Sequence, residues 1–408
     1  MVNLNYNLYL YLLFTLNKLK MNLFGSDSLY PISSFTKPIS CIRIKYISDN
    51  PIVAIGGWNK QLLILNMKFQ NNPQVIYDKQ TFPSAIMSLS FIPTTESYVA
   101  VSLTNGEVYL INYYTKLEQK LYKHEFGAKA LQFKDNNTLV SCGWDGNVYF
   151  YDIRSSQTIY HISYEHRCYC LDIRGNYLLC GMSENTASLV DFRSYNSYRN
   201  TFNNKYDFIT NTAYEISSCS ISSDENIIAL GYSSGIVDVK YISNIQIQNT
   251  VQYGNGGNNN DFSFTAHQNQ TNETYRINKV KFMNKKVICT CGSDGYVLFW
   301  DVNLKQKLLH GHTDTQAPII DFDYVNVFNG NSSNNGNNNY YTMFVYASGN
   351  DFTKGPMFTN NIINSGNTFL NSNSINNINE LFPAKIGLHN IIYDSYMSST
   401  YSLIKPCE

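Results

Sequence analysis

Apolar and polar residues alternate along short runs of this chain, and the runs come in pairs. The clearest pair is Leu139-Val-Ser-Cys-Gly-Trp-Asp-Gly-Asn-Val-Tyr-Phe-Tyr-Asp152. Val287-Ile-Cys-Thr-Cys-Gly-Ser-Asp-Gly-Tyr-Val-Leu-Phe-Trp-Asp301 repeats it, and Ile52-Val-Ala-Ile-Gly-Gly-Trp-Asn-Lys-Gln-Leu-Leu-Ile-Leu-Asn66 is an N-terminal version. Alternation at period two places one face of a run against a neighbour, which marks a strand. Asp145-Gly146, Asp294-Gly295 and Asn105-Gly106 suit hairpin turns that need positive φ. Each pair closes on an aromatic or aliphatic residue beside Asp or Asn, and the unit recurs about every 40 residues.

That recurrence predicts an all-β, seven-bladed WD-repeat β-propeller. The blades are read at 39–66, 85–112, 128–152, 168–191, 216–241, 277–301, and a seventh from 318–324 through 341–347 to 386–393. The predicted propeller spans 33–395. Residues 1–32 form an N-terminal extension, and 396–408 a C-terminal tail. Seven blades need roughly 280–300 residues, so a chain of 408 residues carries insertions. Asn-rich tracts at 255–260, 329–339 and 360–379 supply them, and their polarity predicts disorder. The apolar run at 8–16 is too short to span a membrane. Met21-Asn-Leu-Phe-Gly reads as the native start, with 1–20 a non-native addition.

Lys plus Arg and Asp plus Glu both number 30. Zero formal charge argues against a dominant nucleic-acid-binding face. Nine cysteines, with no Cys-x-x-Cys pair, point to a reducing compartment. Cys168-x-Cys170 and Cys289-x-Cys291 sit on predicted strands, where i and i+2 share a face, and read as core rather than metal ligands. No phosphate-binding glycine loop, nucleophile elbow or zinc-binding helix is present. His124 and His267 precede repeats and are expected to hydrogen-bond within them; His166 and His312 are expected in loops. Asp145, Asp152, Asp191, Asp294 and Asp301 recur at equivalent turns and strand ends, so their reading is structural. The expectation is a protein without catalytic activity, cofactor or metal.

Several segments are more particular than the repeat. Ile153-Arg-Ser-Ser-Gln, Glu165-His-Arg-Cys-Tyr-Cys-Leu-Asp172, Phe262-Ser-Phe-Thr-Ala-His267 and Gly292-Ser-Asp-Gly-Tyr-Val-Leu-Phe-Trp-Asp301 with Lys305-Gln-Lys307 resemble the WD-repeat mRNA export factors that dock on the GLEBS segment of a nucleoporin. Tyr346-Ala-Ser-Gly-Asn-Asp-Phe-Thr-Lys-Gly355 is similar to their Tyr-Asp-Trp-Ser-Lys-Gly stretch. Gly57-Trp58 and Gly143-Trp144 also fit the related mitotic checkpoint WD-repeat proteins, which bind GLEBS-type segments of checkpoint kinases; Asn176-Tyr-Leu-Leu-Cys-Gly-Met182 leans towards these. A third reading is a WD-repeat scaffold unrelated to either.

The resemblance implies an adaptor at the nucleus and nuclear pore that shuttles to the cytoplasm. Its implied partners are a GLEBS-bearing nucleoporin and, weakly, single-stranded RNA; it implies a monomer within a complex, away from membranes. Phe264 and Trp300 would be the apolar floor of the site, Lys305 and Lys307 its cations, with Asp301, Trp58 and Trp144 as further partner-binding residues. Two departures stand out. The family's blade 5 has an Arg that meets the partner's acidic groups, and Ser234-Gly-Ile-Val-Asp238 puts Ile236 there. After Trp300-Asp301 the family has Lys, and this chain has Val302.

Overall fold

Six consecutive stretches each fold into a four-stranded antiparallel sheet in simple sequential order. Their innermost strands are Ile39–Ile47, Ile86–Phe91, Ala128–Phe133, Cys168–Arg174, Ile216–Ile221 and Ile277–Phe282. Another sheet is built from Ile319–Asn329, Asn339–Ser348 and Lys385–Ile392, with Ser28–Pro31 as its outer strand. The computed structural model describes residues 28–392, apart from 32–36, 48–49, 69–72, 197–200, 211, 251–259, 313–316, 330–338 and 350–384. The expectations for the proposed start at Met21, for 396–408 and for most of each Asn tract therefore lie outside the described residues.

The paired alternating runs become the second and third strands of each sheet, and their turns form as the residue types require. Gly146 and Gly295 have φ of +75° and +82°. A Cβ at Gly146 would come within 2.4 Å of the Tyr164 carbonyl oxygen, so both conformation and space demand glycine. The core lies between sheets. Ile52, Leu62 and Ile64 of the first pack with Ile86, Leu89 and Val101 of the second, all at most 2% exposed. Each such side chain contributes about 1.5–3 kcal/mol when fully buried.

Every innermost strand carries a register shift at its second residue. A bulge re-aims the extra side chain. Ser40, Met87, Lys129, Tyr169, Ser217, Asn278 and Ile320, the residues so displaced, all line a central channel of about 940 Å³. The bulge at Tyr169 also overturns one expectation. Cys168 and Cys170 do not share a face: Cys168 packs between the third and fourth sheets and Cys170 between the fourth and fifth. Cys289 and Cys291, on a regular strand, do pack together. His312 ends a strand opposite Tyr296 rather than lying in a loop.

Side chains stitch neighbouring innermost strands together. Ser90 Oγ accepts from Phe133 N at 3.1 Å, Asp172 Oδ2 from Ile221 N at 2.7 Å, and Ser220 Oγ from Phe282 N at 3.1 Å. Where the last sheet meets the first, carboxylates take this role. Asp321 accepts from Ile42 N at 3.1 Å and Asp323 from Ile44 N at 3.0 Å. Arg43 and Lys281 pair with these two carboxylates.

Two features were not expected from the sequence. Ser28–Pro31, inside the stretch assigned to an N-terminal extension, pairs with Lys385–Ile392 and completes the last sheet with the other end of the chain. Between the third and fourth strands of the fourth and fifth sheets lie a 3₁₀ turn, Phe192–Ser194, and a helix, Ile242–Thr250. Asp191 caps the former by accepting from Arg193 N at 2.9 Å. Ile242 and Ile245 anchor the latter in the core.

Candidate partner-binding site

Phe264 lies on the outermost strand of the fifth sheet and Trp300 on the third strand of the sixth. Their ring centroids are 4.6 Å apart, and Phe262 stacks beside Phe264 at 6.0 Å. These half-buried rings close the outer end of the core between the two sheets. Lys305 and Lys307 are exposed and lie over them: Lys305 Nζ is 4.6 Å from the Phe262 centroid, and Lys307 Nζ 5.7 Å from that of Trp300. Both distances fit cation–π contact. Leu304, in the adjoining turn, is 59% exposed. The result is an aromatic strip edged by two ammonium groups, which can accept apolar side chains flanked by carboxylates.

Trp300 is held from behind. Its Nε1 donates to Thr290 Oγ1 at 3.1 Å, and Thr290 Oγ1 lies 2.9 Å from His267 Nε2. His267 Nδ1 lies 2.8 Å from Asp294 Oδ1. A carboxylate only accepts, so Nδ1 donates to Asp294; the Thr290 hydroxyl accepts from the indole N–H and donates to Nε2. The chain Trp–Thr–His–Asp is thereby satisfied end to end. The third sheet has the same device: His124 bridges Ser141 and Asp145, with Tyr151 where the sixth sheet has Trp300. Asp145 has its carboxyl shifted downward: burial opposes the charged form, and the hydrogen bond and charge of His124 outweigh it.

Thr290→Val keeps the shape and deletes the hydroxyl, leaving His267 Nε2 and Trp300 Nε1 without their partner. Each orphaned group costs about 1–3 kcal/mol. Urea denaturation should show a loss in that range for Thr290→Val and a much smaller one for Thr290→Ser.

The expected partner-binding residues do not form one cluster. Asp301 is 2% exposed, and its Oδ1 accepts from Leu304 N at 2.8 Å, so it shapes the turn rather than facing a ligand. Trp58 and Trp144 follow the second strands of their sheets and line the channel. Lys305 follows a third strand, so it lies at the opposite end of the antiparallel hairpin. Trp58 is 41% exposed. Ile236 begins a third strand, at the same end as the two tryptophans, and packs against the core of the fourth and fifth sheets. Val302 is buried in the core behind Trp300. Sequence reasoning passed over Phe262 as a floor residue; its i, i+2 spacing from Phe264 on one strand was the available signal.

The family model "WD domain, G-beta repeat" matches residues 115–152, which include His124, Ser141 and Asp145. The chain is a WD-repeat β-propeller. It is 23% identical over 363 residues to a poly(A)+ RNA export protein of Schizosaccharomyces pombe, covering 83% of this chain and 93% of that protein. It is 24% identical over 323 residues to protein Rae1 of Drosophila melanogaster, covering 77% and 84%. It is also 24% identical over 275 residues to the spindle assembly checkpoint protein bub3 of Schizosaccharomyces pombe, covering 66% and 79%. The relatives of this propeller thus include a poly(A)+ RNA export protein and a spindle assembly checkpoint protein. The fold and these relatives indicate a scaffold rather than an enzyme.

Proposed function

We propose that this protein is a non-enzymatic adaptor in nuclear mRNA export that docks on a GLEBS-type segment of a nucleoporin. The observation that carries the reading is the strip of Phe262, Phe264 and Trp300 beneath Lys305 and Lys307. The similarity to a poly(A)+ RNA export protein over most of both chains supports it. Apolar residues of the partner rest on the rings, and its glutamates meet the lysines. Trp58 and Trp144 give a separate contact surface at the channel mouth. The protein works at the nucleus and nuclear pore, shuttles to the cytoplasm, and acts as a monomer within a larger complex. Contact with single-stranded RNA is weak and salt-sensitive, as zero net charge requires.

The proposal includes a closed ring of seven blades. Its support is the sheet completed by Ser28–Pro31, whose innermost strand bonds to the first sheet through Asp321 and Asp323. A checkpoint adaptor binding GLEBS-type segments of kinases is the second reading, and the similarity to bub3 favours it.

Ile236→Arg tests the reading directly. It restores the cation that the resemblance places there. Titration of a synthetic GLEBS peptide by calorimetry should show tighter binding than the parent chain. A partner surface lying elsewhere predicts unchanged affinity.

A further inference from the structure

The two ends of the central channel differ in how their charges are matched. Deeper along the innermost strands, Arg43, Lys279 and Lys281 face Asp321 and Asp323 in ion pairs. At the strand starts the balance fails. Arg167 and Arg276 immediately precede the innermost strands of the fourth and sixth sheets, and Lys129 is the bulge residue of the third. All three line the channel, and among the described residues none has an ion pair or side-chain hydrogen bond. Glu215, before the innermost strand of the fifth sheet, is the one carboxylate lining this end among the described residues.

Lys129 is the least comfortable of the three. The other bulge residues, among them Met87, Tyr169 and Ile320, are uncharged. Burial holds its ammonium below the usual lysine range, and repulsion from Arg276 adds to this. An unpaired, partly buried cation facing another cation weakens the fold unless an anion joins them. Trp144 sits at the same lip: its ring carbon Cε3 lies 2.7 Å from where a Cβ on Gly127 would be, so glycine lets the indole lie against the strand start beside Lys129.

We propose that this mouth of the channel binds a small, multiply charged phosphate compound, held on the axis by Lys129, Arg167 and Arg276. Among the described residues, three cations against one carboxylate leave a net charge of about +2, which suits a dianion or a more highly charged anion. The cations line the channel from three different sheets, so the anion must offer oxygens in several directions. Phosphate groups do so, and guanidinium forks suit them. Lys129 lies one bulge position inside the channel, so the occupant enters it, as a compact anion can. This site is separate from the aromatic strip and does not depend on the export reading.

The test is calorimetry of the full chain with tripolyphosphate, using citrate as a polycarboxylate of similar charge that lacks phosphate groups, and tryptophan fluorescence as a second readout. Saturable one-to-one binding of tripolyphosphate is expected, weakened at least tenfold in Lys129→Met and in Arg276→Gln, with citrate much weaker. Lys129→Met removes a partly buried charge and should fold at least as well as the parent. Arg276→Gln, at a strand start, gives an independent reading should Lys129→Met fail to fold. The proposal is overturned if the parent shows no saturable binding, if the folded variants bind as the parent does, or if citrate binds equally well.

Discussion

Asp321→Ala should destabilise the propeller by about 3–5 kcal/mol, the cost of breaking a buried ion pair from one side. Asp321 is 5% exposed. Its carboxylate accepts from Arg43 Nη1 and from Ile42 N, joining the last sheet to the first. Alanine leaves a guanidinium without its counter-charge and a backbone N–H without an acceptor. Both defects fall on the joint between the last sheet and the first, where the two partners are far apart in sequence and gain nothing from local propensity. Urea denaturation measures the loss. Adding Arg43→Met to Asp321→Ala should recover part of it, because the orphaned charge is then gone. A variant as stable as the parent would show that this joint does not hold the fold.

The same joint sets the response to acid. Asp323 is buried, which favours its neutral form, but the charges of Lys281 and Arg43 outweigh burial and hold its pKa below the ordinary aspartate value. A depressed carboxylate contributes stability that is full above its unfolded pKa. That stability is lost as pH falls through the folded value. Stability should therefore be flat near neutrality and fall below the usual carboxylate range, and Asp323→Asn should blunt the fall.

Lys305→Glu together with Lys307→Glu should abolish docking while leaving the fold intact. Both side chains are exposed, and their ammonium groups lie over aromatic rings. Losing one member of a desolvated charge pair costs about 2–5 kcal/mol. That corresponds to roughly 30-fold to several-thousand-fold in affinity, and reversal of sign costs at least as much. The variant also removes both cation–π contacts, so the aromatic strip becomes more exposed even as its charge is inverted. Calorimetry with a GLEBS peptide gives the affinity, and urea denaturation confirms that the protein is folded. Full affinity in the double variant would move the interface to another part of the disc.

The repeats could be read in the sequence because their signals are local. Alternation in Leu139–Gly143 and Val287–Gly292, and glycine at 146 and 295, each fix a strand or turn without reference to the rest of the chain. Ser28–Pro31 could not be read, since four residues carry no periodicity and their partner strand lies near the other end. The bulges were equally hidden: they are a property of two paired strands, and only the pairing shows that Tyr169 swings away and parts Cys168 from Cys170. At the candidate site, Phe264 and Trp300, far apart in sequence, lie in ring contact. The placing of Lys305 and Lys307 over the rings did not follow from residue types. Asp301 was expected both as a recurrent strand-end residue and as a partner contact, and its hydrogen bond to Leu304 N supports the first role.

The most direct measurement is purification of the tagged full chain from its native cells, with mass spectrometry of what accompanies it. The parent and the Lys305→Glu, Lys307→Glu variant would be compared side by side. A Phe-Gly nucleoporin carrying a GLEBS-type segment should accompany the parent and be lost from the variant. Retention of that nucleoporin by the variant, or checkpoint kinases in its place with the parent, would contradict the export-adaptor account.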